Sequence, residues 1–144
     1  MREAASALGL GYRLLADQGD PYLHFIGPFY ERHEPDGGFS YACEVRPAHA
    51  NMAGNAHGGM LMSFVDMVMA QPAYMAQGND QVTAVSTAAS FIAPVRIGDL
   101  VECRPDVLRK AGDVLFVAGA FRVGDTCVLS AQSLWKLAPG MASR

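Results

Sequence analysis

The residues whose types and spacing suit chemistry lie between Asn51 and Met69, in the stretch NMAGNAHGGMLMSFVDMVM. The stretch begins polar and glycine-rich and then becomes a nearly unbroken apolar segment that carries one charge, Asp66. A carboxylate in such a segment is costly to bury unless it is paired, hydrogen-bonded or used in a reaction. Because His57 and two glycines stand where the apolar segment begins, the pattern indicates a reactive site more than packing alone.

The glycine pair Gly58-Gly59 falls where the apolar segment should begin a helix. Glycine lets a ligand approach the backbone closely, and the first N–H groups of a helix lack intrahelical partners and carry the positive end of its dipole. The Gly58 N–H is therefore a candidate donor to a carbonyl oxygen that becomes an oxyanion, an interaction worth about 3 kcal/mol in other enzymes. His57 and Asn51 add side-chain donors beside it. A loop-to-helix joint with only a capping role explains the same residues.

Asp66 lies eight residues beyond Gly58, which is about 12 Å along a helix at about 1.5 Å per residue. One carboxylate cannot attack a carbonyl that is held at the other end of its own helix. If both groups serve one site, Asp66 must face the Gly58 region of a second chain, as in two antiparallel helices related by a twofold axis. The alternative for Asp66 is a buried carboxylate that is paired with an arginine or hydrogen-bonded to backbone.

Length and composition bound the remaining possibilities. The 144 residues fit one domain, 1–144, and with 51% apolar and 17% charged residues the chain is globular, with a weak hint of oligomerisation. A net charge of -3 argues against a nucleic-acid binder. The three cysteines are isolated, odd in number and without a CxxC pair, so reduced thiols in a cytoplasmic protein are expected. No secretory signal is recognisable, and the apolar run after Gly59 is too short and too interrupted to span a bilayer.

The hydrophobic pattern predicts an α+β fold in which an antiparallel sheet wraps around one long central helix. Residues 1–20 predict a short amphipathic N-terminal helix, and 22–30 an irregular segment or an edge strand that could also cover a ligand pocket. Pro72 should kink or end the regular part of the long helix. The expected elements are a strand Phe39–Arg46, the helix Gly58–Ala76, and strands Gln81–Ala93, Leu100–Arg109, Val114–Val123 and Thr126–Leu137.

Other reaction classes fit less well. The chain has no GxSxG elbow, no Walker A loop and no dinucleotide-binding GxGxxG. Metal ligation by His57 and Asp66 is weak, because the four histidines show no metal-ligand spacing. We therefore expect no metal.

The pattern Asn51-x5-His57-Gly58-Gly59-x6-Asp66 resembles the hot-dog-fold acyl-CoA thioesterases, specifically the PaaI-like branch of the 4-hydroxybenzoyl-CoA thioesterase superfamily. The segment SFIAPVRIGD is similar to the strand end of that family, and the resemblance covers roughly residues 22–137. It implies hydrolysis of an acyl-CoA to free acid and coenzyme A without a further cofactor. It also implies a homodimer as the minimal active unit and commonly a homotetramer.

The resemblance assigns roles to the same residues. Asp66 would be the nucleophile or the general base that activates water. The Gly58 N–H of the other subunit would polarise the thioester carbonyl, His57 would help to hold that carbonyl, and Asn51 would position the water or the acid. Gly59 would lie against the substrate.

One position departs from the family. Relatives carry a Ser or Thr ten residues before the proline of the long strand, where this chain has Ala84. Thr83 and Ser86 are the nearby hydroxyls. Because side chains alternate, Thr83 should point away unless the strand has a bulge, whereas Ser86 should share the face of Ala84. Arg96 is the best candidate among the scattered basic residues for the phosphates of coenzyme A.

Alternatives remain open at this point. A non-catalytic acyl-CoA-binding protein of the same fold would keep the Gly58 carbonyl site and need no carboxylate. A hydratase would need a histidine near Asp66, and none follows His57. A purely structural oligomer is the remaining alternative. The acyl group stays open between an aryl and a medium-length chain, since the methionine-rich helix adapts to either.

Overall fold

The computed structural model describes residues 6–16, 19–78 and 81–137. Within these ranges two short 3-10 turns, Leu8–Leu10 and Pro47–His49, accompany eight strands and two helices. In chain order these are β1 Arg13–Leu14, α1 Pro21–Ile26, β2 Phe29–His33, β3 Phe39–Glu44, α2 Gly58–Gln77, β4 Val82–Phe91, β5 Leu100–Cys103, β6 Asp106–Ala111, β7 Val114–Val123 and β8 Thr126–Leu137.

The strands form one antiparallel sheet in the order β1-β2-β3-β5-β7-β8-β4, and β6 pairs separately with β7. The long helix α2 packs on β4, β7 and β8, and its apolar side chains join those of the sheet in one core. The predicted α+β architecture, an antiparallel sheet around one long helix, is confirmed.

The helix α2 forms because nearly every position around it is apolar, which buries it on several sides at once. Its buried positions are Met60, Leu61, Phe64, Val65, Met67, Val68, Met69, Ala70, Pro72 and Ala73. It ends at Gly78, which adopts the left-handed conformation (φ 75°) that glycine tolerates best. The predicted bounds Gly58–Ala76 are correct to one residue. Pro72 does not end the helix, which continues for five more residues.

The second half of the chain follows the turn signals closely. The predicted strands Val114–Val123 and Thr126–Leu137 are observed with these bounds as β7 and β8. The prediction of one continuous strand Leu100–Arg109 was wrong. The chain forms two strands, β5 and β6, which Arg104-Pro105 separate. Proline has no N–H to donate to a strand ladder, which explains the break.

The N-terminal segment does not form the predicted helix over its described part, residues 6–16. It forms the turn Leu8–Leu10 and then β1, which adds to the edge of the sheet beside β2. Tyr12 is buried there, and its hydroxyl donates to Glu102 Oε1 at 2.7 Å. Burial and this carboxylate raise the pKa of Tyr12, so the hydroxyl stays a donor. Its extended backbone lets this segment pair with β2 at the edge of the sheet.

The aromatic segment 22–30 also differs from its prediction. Asp20 caps a helix, α1, with Pro21 at its first position, and β2 then pairs with both β1 and β3 inside the sheet instead of at its edge. The sequence Gly19-Asp20-Pro21 is a helix start by the preference for Asp at the N-cap and Pro in the first turn. These three residues therefore begin a helix and do not close the helix that was predicted over residues 1–20.

The strand β4 forms one end of the sheet and carries large apolar side chains that the described chain leaves open. Val85 and Phe91 of β4, and Ile92 directly after it, are each more than half exposed. Phe116 of β7 is also exposed, but it lies on the opposite face of the sheet from Phe91, because Phe116 pairs with Leu134 and Phe91 with Leu129, five positions apart on β8. Neither helix is long and apolar enough to cross a membrane within the part of the chain that the structure describes.

Candidate active site

The loop before α2 is fixed to two neighbouring segments by backbone hydrogen bonds. The Ala56 N–H donates to the Val95 carbonyl and the His57 N–H donates to the His49 carbonyl, both at 2.7 Å. Asn55 also forms an isolated antiparallel bridge with Arg96. These bonds set the position and direction of the first turn of the helix.

The side chain of His57 is the N-cap of α2. Its Nδ1 accepts a hydrogen bond from the Gly59 N–H at 2.9 Å. In the neutral ring the proton must then be on Nε2, so that this nitrogen is a donor on an exposed side chain. The Gly59 amide is thereby occupied within the helix turn and is not available to donate to a ligand.

The Gly58 N–H makes no hydrogen bond to any residue of the ranges that the structure describes. It lies at the first position of α2, where the helix dipole favours a partial negative charge. The ring of Phe91 lies beside it, 3.7 Å from the point where a Cβ on Gly58 would stand. Phe91 was not among the residues singled out from the sequence, although it lies in the SFIAP segment that carries the resemblance.

Asn51 is exposed and orders its own loop. Its Oδ1 accepts from the Ala53 N–H at 2.9 Å and from the Asn55 N–H at 3.2 Å. The amide oxygen is therefore engaged, and the NH₂ group is the part of Asn51 that remains for a ligand.

Asp66 lies two turns farther along α2, on a side of the helix that the chain itself leaves exposed. Among the described residues it has neither a hydrogen bond nor an ion pair, so the arginine-paired alternative does not apply there. Partial desolvation, followed by the negative charge of Asp20, raises the pKa of Asp66 above its usual value. A carboxylate with a raised pKa is a stronger base than an ordinary surface Asp.

The strand β4 contains the β-bulge that decides where its hydroxyls point. Ala84 pairs with Trp135 and Ser86 with Leu134, so Val85 is the extra residue. The bulge reverses the alternation, and the expectation that Ser86 shares the face of Ala84 was wrong. Thr83 lies on the outer face, as expected. Beyond the bulge it is Thr87, paired with the buried Ser133, that turns toward the helix side.

Arg96 is exposed next to the loop that precedes α2. Its backbone N–H donates to Asp99 Oδ2 at 2.8 Å, and its bridge to Asn55 keeps it near the helix N-terminus. The guanidinium is thus a cation within reach of a ligand that extends past this end of α2.

His49 is a buried residue that sequence reasoning did not single out. Its Nδ1 accepts from the Arg46 N–H at 3.1 Å, so its Nε2 carries the proton and donates to the Ile26 carbonyl at 2.8 Å. Burial lowers the pKa of His49, which keeps the ring neutral. Because its carbonyl also accepts from His57, this residue joins α1 to the start of α2.

His49 should make stability depend on pH. A histidine whose pKa is lowered by folding contributes its full stability above its unfolded pKa of about 6.5, and the contribution is lost as pH falls below that value. We expect His49→Gln to lower the free energy of unfolding at pH 7 by about 1–2 kcal/mol. The variant should also lose less of that free energy than the wild type between pH 7 and pH 5. Urea titrations at several pH values measure both.

His33→Gln is the matched control, since His33 is exposed at the end of β2. It should leave the pH dependence of the wild type unchanged. Parallel loss of stability in the wild type and His49→Gln would show that His49 does not cause the dependence.

A separate open cleft of about 550 Å³ lies between β1, α1 and the start of β2, and Leu14, Phe25 and Arg46 are among its lining residues. It contains neither Gly58 nor Asp66. In the described part of the chain no three His, Cys, Asp or Glu side chains are grouped as metal ligands. The candidate site is therefore a surface of α2 and its preceding loop, open on one side.

One long helix packed on an antiparallel sheet is an architecture that a class of proteins shares. The model of the thioesterase superfamily matches residues 53–130, which is more than half of the chain. The chain therefore belongs to the thioesterase superfamily, and its fold is the hot-dog fold.

Individual relatives agree with this assignment. The chain is 25% identical over 121 residues to the Pseudomonas aeruginosa protein named "Putative esterase PA0474", covering 83% of this chain and 90% of that one. A structure of the phenylacetic acid degradation protein PaaI from Thermus thermophilus superposes with a TM-score of 0.73 at 22% identity, over 83% of this chain and all of that one. A structure of HI0827 superposes with a TM-score of 0.62 at 22% identity, over 68% and 77% of the two chains. The suspected PaaI-like relationship is thus consistent with the structural neighbours.

Proposed function

We propose that this protein is an acyl-CoA thioesterase whose active site forms between two copies of the chain. The observation that carries the proposal is the arrangement on α2, where the Gly58 N–H at its start and the Asp66 carboxylate two turns farther both lack a partner among the described residues. Membership in the thioesterase superfamily supports thioester hydrolysis as the general activity.

The separation of the two groups supports a site that two chains share. Eight residues of helix place Gly58 and Asp66 about 12 Å apart, too far to act on one carbonyl carbon. Two α2 helices in antiparallel contact about a twofold axis would bring Asp66 of one subunit to the partner's Gly58, and would create two equivalent sites.

The open apolar residues of β4 support such an association. Val85, Phe91 and Ile92 expose apolar surface at the end of the sheet, which association would remove from water. A homodimer is the minimal active unit in this proposal, and a homotetramer could in addition cover the surface around Phe116. The relative HI0827 is hexameric, so association in this fold extends beyond dimers.

The reaction assigns each group a task. The Gly58 N–H and His57 Nε2–H donate to the thioester carbonyl oxygen and stabilise its charge in the tetrahedral intermediate. Asp66 takes the proton of a water that attacks the carbonyl carbon, or attacks it directly and forms an anhydride that water then hydrolyses. The carbon–sulfur bond breaks, and the coenzyme A thiolate leaves and takes a proton. Asn51 would hold the water through its NH₂ group.

The ends of the substrate are assigned by charge. The anionic nucleotide of coenzyme A would extend toward Arg96 and away from Asp66 and Asp20. The acyl group is expected to be aryl or of medium length.

No further cofactor is proposed. The three cysteines are free thiols, which suits the cytoplasmic location expected from their number and spacing.

A non-catalytic acyl-CoA-binding protein is the second candidate, favoured by one observation. The position where relatives carry a hydroxyl is Ala84, and the bulge turns Ser86 to the other face. Such a protein would bind acyl-CoA through the Gly58 N–H and would not hydrolyse it.

Release of free thiol from a panel of acyl-CoA substrates separates the two candidates. We expect steady release with aryl or medium-chain substrates and a kcat of the order of 1–10³ s⁻¹, as is typical of enzymes. Thermal stabilisation by the same compounds without thiol release would identify a binding protein instead.

A further inference from the structure

The short helix α1 lies against the face of α2 that carries the proposed catalytic carboxylate. Ser63 and Asp66 are three residues apart, so they share one face of α2. The Tyr22 hydroxyl is 2.6 Å from Ser63 Oγ, which places the start of α1 over this face. A six-residue helix is not stable by itself, so contacts of this kind determine where α1 lies.

The hydrogen-bond chain through Ser63 has one direction. The Ser63 hydroxyl donates to the Gly59 carbonyl at 3.0 Å, so its oxygen accepts from Tyr22. The Gly59 N–H in turn donates to His57 Nδ1 at 2.9 Å. The phenol of Tyr22 is therefore linked to the first turn of α2 in its own chain, whose His57 serves the other of the two sites that a dimer would share.

The other end of α1 is held independently. The Ile26 carbonyl accepts from His49 Nε2, and the Gly27 carbonyl accepts from Arg46. Between these attachments the rings of Tyr22 and Phe25 are more than half exposed. Phe25 lines the separate cleft, whereas the Tyr22 ring lies on the face of α2 that carries Asp66 and forms a surface that suits an apolar ligand group.

Asp20 links the cap of α1 to the same carboxylate. Its Oδ1 accepts from the N–H groups of Tyr22 and Leu23 at 3.0 and 3.1 Å, which caps α1. Among the described residues it is the only charged group that acts on Asp66, and its negative charge adds to desolvation in raising the pKa of Asp66. No basic side chain of α1, α2 or a neighbouring strand, within the described ranges, is among the groups acting on it.

We propose that Tyr22 determines the acyl specificity of the site: the Tyr22–Ser63 hydrogen bond fixes α1 beside Asp66, and the ring of Tyr22 forms the wall against which the acyl group packs. The inference rests on the proposed function. It follows from charge as well as position, because Asp20 and Asp66 repel the anionic end of coenzyme A and leave this side of the site to the uncharged acyl end.

Kinetics with two substrates test the role of the hydroxyl. Tyr22→Phe keeps the ring and removes the donor, and Ser63→Ala removes the acceptor. Each should lower kcat/KM for phenylacetyl-CoA by about fivefold, mainly through KM, and the double variant should lose no more than either single one. With acetyl-CoA, which cannot reach the wall, the change should be less than twofold. Tyr30→Phe, on β2, is the control and should leave both substrates unaffected.

A second measurement does not depend on turnover. The ¹³C chemical shift of the Asp66 carboxyl, followed by NMR against pH, reports the pH at which half of the Asp66 carboxyl groups are protonated. This pH is called the Asp66 midpoint below. Asp20→Asn keeps a good N-cap and removes the charge, so the midpoint should move to lower pH. Tyr22→Ala, which releases α1, should move it in the same direction.

The outcomes separate the inference from the proposed function. Absence of thiol release from the wild type would refute the function, while an unchanged Asp66 midpoint in Asp20→Asn and Tyr22→Ala would by itself refute the placement of α1. Suppose that the wild type is active and that Tyr22→Phe and Ser63→Ala lose kcat/KM equally for both substrates, or lose none. Either result would overturn the specificity role of Tyr22 and leave the proposed function unaffected.

Discussion

Replacement of Asp66 by Asn is expected to reduce kcat for acyl-CoA hydrolysis by about 10³-fold, within the range of 10²–10⁴ that a positioned acid or base contributes. Asn has nearly the shape of Asp but neither attacks a carbonyl nor accepts a proton from water. The carboxylate is exposed and makes no hydrogen bond or ion pair within the described residues, so its loss should leave the fold intact. Thiol release under substrate saturation measures kcat.

The binding of substrate should survive the same change. Asp66 is an anion beside an uncharged thioester, so a non-hydrolysable ether analogue of the substrate should bind within about threefold of its wild-type Kd by calorimetry. Asp125→Asn, in the turn between β7 and β8, is the matched control and should keep full activity. An Asp66→Asn variant that retained a tenth of the wild-type kcat would remove Asp66 from the mechanism.

A pH profile of the wild type adds a related check. Since the pKa of Asp66 is raised, kcat/KM should fall on the acid side with a midpoint above the usual value of an Asp, near 3.9. The active form is the carboxylate, so activity is present above this midpoint and lost below it. An acid limb centred below pH 3.9 would contradict the assignment.

The parts of the fold that were predicted correctly from the sequence are those in which local and tertiary signals agree. The helix α2 is apolar on nearly all sides, begins at Gly58-Gly59 and ends at Gly78, so its bounds follow from the local sequence. The turns Gly112-Asp113 and Gly124-Asp125 come directly before β7 and β8, so they determine where each of these strands begins.

The parts predicted wrongly depend on partners that are distant in sequence. Residues 6–16 have a helical spacing of apolar side chains, yet Tyr12 is satisfied by Glu102 on β5, ninety residues later. The break between β5 and β6 falls at Pro105, which the sequence prediction placed inside one continuous strand.

The candidate site also divides into residues that local sequence predicts and features that depend on distant parts of the chain. The pattern from Asn51 to Asp66 could be found because it lies on one loop and one helix. The bulge at Val85 could not be found, since it is a mismatch in pairing between β4 and β8 and has no signature in β4 alone. The aromatic ring beside Gly58 and the charge of Asp20 near Asp66 also arise only from packing.

Mixing two inactive variants is expected to restore activity if two chains share each site. The first variant is Asp66→Asn. The second is Gly58→Pro, which removes the proposed oxyanion donor where proline is well tolerated, at the first position of a helix. His57 already has the extended backbone that precedes proline readily (ψ 135°), and a Cβ on Gly58 would make only ordinary contact with Phe91. Gly58→Pro alone should lower kcat by about 10²–10³-fold.

In a mixed dimer one site contains both substitutions and the other contains neither. After subunit exchange at equal amounts, about half of the dimers are mixed and each has one intact site, so the preparation should reach about a quarter of the wild-type activity. Co-expression with two different affinity tags purifies the mixed dimer, which should then have about half of the wild-type activity. The control pairs Asp66→Asn with a chain carrying both substitutions, and it should stay inactive because no site is intact. If the carboxylate and the amide instead acted within one chain, both preparations would remain at the level of the single variants, and the shared site would be refuted.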